Sequence, residues 1–119
     1  MTVLESALSA GSGNSSSLAN SVLGTGAATG VAASTLTTVL THVATGTTRV
    51  SHISCSGDTN AKFTVLLDTV VIDTKRMTAY ELDFYLNIDI TIGQILEVKV
   101  QHYHTGVLDA IYESTLYGY

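Results

Sequence analysis

The chain has 119 residues, enough for one domain, and only 13% of them are charged, against roughly 25% in typical soluble proteins. The net charge is −5, and the five basic residues (Arg49, Lys62, Lys75, Arg76 and Lys99) are mostly scattered, which excludes the clustered cations that direct DNA or RNA binding requires. A single cysteine, Cys55, rules out an intrachain disulfide, and no apolar run approaches the ~18 residues of a membrane span.

The first residues lack the basic region and long apolar core of a signal peptide. Val3, Leu4, Ala7 and Leu8 sit at helical spacing and predict a short amphipathic turn. No charged residue lies between Glu5 and Arg49, and Gly11 to Gly30 reads GSGNSSSLANSVLGTGAATG. Such a segment has too few large apolar anchors to offset its own ordering entropy. It also has no charge to hold it in water. Residues 1–34 are therefore read as an extended Gly/Ser/Ala-rich arm that lies on a partner or on sister subunits.

Residues 31–47 fit two templates. Leu36, Val39, Leu40 and Val43 make a helical stripe, whereas the β-branched Thr35, Thr37, Thr38, Val39 and Thr41 suit a strand. A strand over about 35–44 is expected to open the second region, 35–119. TRVSHISCS, Thr48 to Ser56, reads as the next strand and ends at the turn Gly57-Asp58. From Asn60 to Asp68, Ala61, Phe63, Val65 and Leu67 alternate with polar neighbours. Val70, Val71 and Ile72 form a short apolar run, and the polar residues 73–76 predict a loop or an edge. Leu82, Phe84, Leu86 and Ile88 alternate with Glu81, Asp83, Tyr85 and Asn87, the pattern of a strand with one wet face. Leu96, Val98, Val100, His102 and His104 share a face in the next strand, and Leu108, Ala110, Tyr112, Ser114 and Leu116 in the last.

Strands of this length and spacing, without a helix after residue 48, predict an all-β fold: an antiparallel, jelly-roll-like β-sandwich. A core this small is marginally stable alone. Association, for instance as a trimer, would cover its edge strands.

Candidate chemistry is sparse. His102 and His104 are expected about 7 Å apart on one strand face. They are weak metal candidates, because neither a cysteine nor a carboxylate motif accompanies them; no metal and no cofactor is assigned. The aspartates lack a calcium-loop spacing, and there is no G-x-S-x-G elbow or phosphate loop, so the chain is not read as an enzyme. Cys55 is expected to be a small buried hydrophobe. Tyrosine suits interfaces, with a large apolar ring and one polar tip, and it also stacks on sugars. Tyr103, Tyr112, Tyr117 and Tyr119 are read as an oligomer interface.

From Val50 to Tyr119 the chain resembles small β-sandwiches of phage virion proteins. The resemblance runs through RVSHISCSGDTNAKFTVLLDTVVIDTKR, ELDFYLN, GQILEVKVQHYHTG and the aromatic-Gly-aromatic end YESTLYGY. It is to capsid cement or decoration proteins, and also to the small β-modules of tail fibres. It implies a structural protein that is made in the host cytoplasm and mounted on the capsid exterior. Its partners would be the major capsid protein and sister copies. It also implies that the arm clamps neighbouring subunits, with Val3, Leu4, Leu8, Leu18, Val22 and Leu23 as the contact residues. The tail-fibre likeness implies instead a receptor- or glycan-binding module.

Overall fold

The computed structural model describes residues 20–119, and all of its regular structure is β. The strands are β1 (Ser21–Ala28), β2 (Val31–Ala32), β3 (Thr37–Val43), β4 (Thr48–Ser56), β5 (Ala61–Leu67), β6 (Val70–Arg76), β7 (Glu81–Ile90), β8 (Ile95–His102), β9 (Val107–Leu108) and β10 (Tyr112–Gly118). Two four-stranded antiparallel sheets face each other. The first has the order β1-β10-β4-β7, the second β3-β8-β5-β6, and β2 and β9 form a small separate ribbon. The chain crosses between sheets at nearly every connection; β5–β6 is the one hairpin within a four-stranded sheet. That order is the eight-stranded jelly roll.

The alternation in the sequence sets the two faces of each sheet. In β8, Leu96, Val98, Val100 and His102 are buried, and the residues between them are not. In β10, Tyr112, Ser114 and Leu116 point inward in the same way. Phe63 and Val65 from β5, Phe84 from β7 and Ile53 from β4 complete the centre of the core. Asn87 takes a positive φ of 50° in β7, where the register against β4 shifts between Tyr85 and Ile88. Asparagine tolerates that backbone region better than most residues.

Two expectations change. The sandwich begins at Ser21, not at residue 35, because β1 pairs with β10 from Ser21↔Gly118 to Ala28↔Tyr112. Residues 73–76, expected as a loop or an edge, lie in an edge strand: they continue the strand begun at Val70 at the border of the second sheet. The last predicted strand is two, β9 and β10, separated by residues 109–111.

The two sides of the sandwich differ. On one side β1 lies against β3 and closes it. On the other, β6 and β7 are both free edges among the described residues. There Lys75 spans the gap: its Nζ donates to the Asp83 carbonyl at 2.8 Å and sits 5.5 Å from the centroid of the Phe84 ring. A long stem with a charged head covers apolar surface in this way while staying wet.

Candidate interaction surfaces

The outer face of the first sheet carries a row of aromatic rings. Register places Val22, Tyr117, His52 and Tyr85 side by side on β1, β10, β4 and β7. His52 stacks on Tyr85 with centroids 4.8 Å apart and planes 7° apart, and on Tyr117 at 5.1 Å and 13°. His52 Nε2 lies 2.7 Å from Asp83 Oδ1, so the ring nitrogen donates to the carboxylate and the imidazole is fixed. The rings stand face to face along the row. Tyr85, 71% exposed on the edge strand, is the member whose outer ring face is open. Around the row, Glu81, Asp83, Asp89 and Glu113 make this face acidic; Arg49 pairs with Asp89 at 3.2 Å.

The outer face of the second sheet is built differently. Toward one end it is basic, with Lys62, Lys99 and Arg76. Toward the other it is apolar. Val43 and Ile95 are cross-strand partners, Leu66 is paired with Val71, and Glu97 lies between the two pairs. Val43, Ile95 and Val71 are 51%, 39% and 56% exposed. Asp68 ties the β5–β6 turn to this region, accepting from the Ile95 amide at 2.9 Å and from Gln94 Nε2 at 3.2 Å.

The expected tyrosine interface divides. Tyr117 lies in the aromatic row. Tyr119 follows it, its backbone paired with Arg49, and its ring is exposed. Tyr103 lies at the opposite end of the sandwich, with the Arg76 guanidinium 4.6 Å from its ring centroid. Tyr112 is no interface residue: it is fully buried, edge-on to Phe63 and stacked on His102. It falls on the inward parity of β10, and ring size carried it into the core. Of the expected contact residues, Val3, Leu4, Leu8 and Leu18 lie outside the described residues. Val22 is exposed in the aromatic row, whereas Leu23 packs against the core. His52 and Tyr85, which organise the row, were not among the sequence candidates. Tyr85 had a signal, its place on the wet face beside Asp83; His52 acquires its role only through cross-strand register.

His102 and His104 do not share a strand face. β8 ends at His102, because the Tyr103 amide turns to the Asn60 carbonyl at 3.0 Å. The buried His102 donates from Nε2 to the Val31 carbonyl and accepts the His104 amide on Nδ1 at 3.3 Å. His104 Nε2 donates to the Thr59 carbonyl at 3.0 Å. Both rings of this pair serve as internal ties, binding β2 and the β4–β5 loop to the end of β8. No group of three His, Cys, Asp or Glu converges as a metal site among the described residues.

Cys55 is buried, with Sγ 3.1 Å from Ser114 Oγ. Burial pushes its thiol pKa up to about 12, outweighing the hydrogen bond from Ser114, which acts in the opposite direction. The folded state therefore keeps a proton that the unfolded chain loses near pH 9. Stability should fall between pH 9 and 12, by about 1.4 kcal/mol per pH unit from this group. Tyr112, raised by burial and by the nearby Asp58 carboxylate, adds a loss of the same sign at alkaline pH. Denaturant titrations at a series of alkaline pH values measure the slope. Thiol alkylation at pH 8 should proceed only after unfolding.

Comparison with protein-family models, curated proteins and solved structures finds no match.

Proposed function

We propose that the protein is a non-enzymatic structural protein of a virion, a cement or decoration protein on the capsid exterior. In this reading it binds the shell of major capsid protein and stands on it as an oligomeric knob, a homotrimer. The observation that carries the reading is the character of the two outer faces. Each displays exposed aromatic or aliphatic side chains bordered by charged ones, Tyr85 and Tyr117 beside Asp83 on one and Val43, Ile95 and Val71 around Glu97 on the other. Exposed apolar groups flanked by polar residues are the chemistry of protein contact. A jelly-roll sandwich with two open edges gains from neighbours that cover them. Repetition over a shell also turns weak single contacts into tight attachment.

The test is attachment to shells that lack the protein. The full chain should co-sediment with them at a fixed copy number. A variant lacking residues 1–19 should remain folded and lose at least about tenfold in apparent affinity, as expected when one of several linked contacts is removed. Undiminished decoration by the truncated chain would remove the arm from the account.

A second reading, a glycan- or receptor-binding module of a tail fibre, draws on Tyr85. Its open ring is held rigid by His52, and Asp83 lies beside it, an arrangement suited to stacking a sugar ring. Binding on a glycan array that disappears in Tyr85→Ala, with no attachment to shells, would favour it.

A further inference from the structure

We propose that the outer face of the first sheet holds a trough for a short, uncharged oligosaccharide, floored by Thr25, Thr115 and Ser54 and running beside the aromatic row. The proposal rests on the second reading above, in which this face meets a glycan. It adds where the sugar chain lies and which glycans are refused.

Register fixes the shape of the trough. Outward side chains on neighbouring strands line up in rows across a sheet. Beside the row of Val22, Tyr117, His52 and Tyr85, the next outward row is Thr25, Thr115, Ser54 and Asp83. The one beyond is Ala27, Glu113, Ser56 and Glu81. The ring centroids of the aromatic row are 4.8 and 5.1 Å apart. That matches the ~4.8 Å between strands, so each ring stands upright on its own strand. A wall of rings therefore drops to a floor of short hydroxyl side chains. The floor crosses four strands, a length of about 14 Å.

At the β1–β10 end the floor sinks into a hollow of about 390 Å³, lined by Thr25, Gly26, Ala27, Glu113, Ser114 and Thr115. Small residues make this hollow. The sequence that lets β1 lie against β3 on its inner side leaves nothing taller than Thr25 and Ala27 on its outer side.

The chemistry matches a polyol. Serine and threonine hydroxyls both donate and accept, as sugar hydroxyls do, and a carboxylate accepts from several hydroxyls. The ring wall offers an apolar flank to the C–H groups of a sugar. Glu81 and Glu113 are exposed on the far side, and Asp83, which accepts from His52, closes the β7 end. Neither row contains a lysine or an arginine. A glycan carrying sialic or uronic acid would bring a carboxylate up to Glu81, Asp83 and Glu113 with no cation between them, and like charges disfavour it. A basic peptide would find its counter-charges only along the margin, over a floor of neutral hydroxyls.

The test applies the full chain to an array of neutral and acidic glycans, with an oligolysine peptide alongside. Neutral oligosaccharides should bind, and their acidic counterparts should not. Thr115→Gln fills the floor without adding charge and should weaken binding by about tenfold, the loss of one or two hydrogen bonds. Thr25→Gln, at an exposed position, provides a second variant should the first disturb β10. Glu113→Gln combined with Glu81→Gln should admit acidic glycans that the parent refuses. Full binding by both threonine variants, with loss in Tyr85→Ala, would move the sugar onto the open ring: the trough falls and the glycan reading stands. Preference for an acidic glycan or for oligolysine also overturns the proposal. Binding of no glycan at all removes the second reading and the trough with it.

Discussion

Replacing Gly26 by alanine should cost the domain about 3 kcal/mol or more, the upper range of overpacking effects. Gly26 lies in β1, where that strand lies against β3 on the closed side of the sandwich. A Cβ built there would stand 2.0 Å from the Val39 carbonyl oxygen and 2.9 Å from Leu40 Cα. These are backbone atoms, so no side-chain rotation relieves the clash. The two sheets must part, and the buried neighbours Val39 and Leu40 lose their packing. For a domain of about 100 residues, 3 kcal/mol corresponds to a fall in Tm on the order of 15 °C. Gly46 is the internal control: nothing lies within 4 Å of its Cβ position, and alanine there should change stability by less than about 0.5 kcal/mol. Equal denaturation midpoints for the two variants would mean that β1 does not pack as described.

Truncating Tyr112 to alanine should cost about 4 kcal/mol, as expected for deleting a large buried ring. The ring meets Phe63 at 6.1 Å, edge to face, and His102 at 6.2 Å, stacked. It also fills the space beside Gly57, whose Cβ position is 2.3 Å from Tyr112 Cδ1. The hydroxyl tells a different story. Tyr112 Oη is buried, and no hydrogen-bond partner reaches it among the described residues. An unpaired buried hydroxyl costs free energy, so Tyr112→Phe should keep the packing and gain about 1 kcal/mol. Chemical denaturation of both variants measures the pair. A phenylalanine variant less stable than the parent would show that the hydroxyl is satisfied in solution.

These two positions also show what the sequence discloses and what it hides. Period-two alternation was enough to place Phe84, Val98 and Leu116 inside, because parity is a local property of a strand. Strand β1 was hidden by its composition. SVLGTGAA is poor in the β-branched and aromatic residues that announce strands, and it was read as part of the arm. The physical reason lies in the partner: a strand whose backbone lies flush against β3 has no room for large side chains, so small residues are what the position demands. The boundary at residue 34 was misplaced for that reason.

The exposed aromatic row was half legible. Tyr117 was visible as an interface candidate, and the wet face holding Tyr85 could be read from its neighbours Asp83 and Asn87. That His52 would stand between the two rings could not be read, because it follows from which strands lie side by side. Ser21 meets Gly118 across nearly the whole chain, and a jelly roll is made almost entirely of such distant pairings. Tyr112 failed in the opposite direction. It belongs to a cluster of tyrosines in sequence, yet inward parity separates it from Tyr117 in space. His102 and His104 failed because alternation was extended past the end of β8, where the backbone turns to Asn60.

The idea that most depends on experiment is that this sandwich works by association. Sedimentation velocity of the full chain at micromolar concentration tests it most directly. The account predicts a discrete species of several 12.5-kDa chains, a trimer, that joins empty capsid shells. A single 12.5-kDa particle at every concentration, indifferent to such shells, would contradict it.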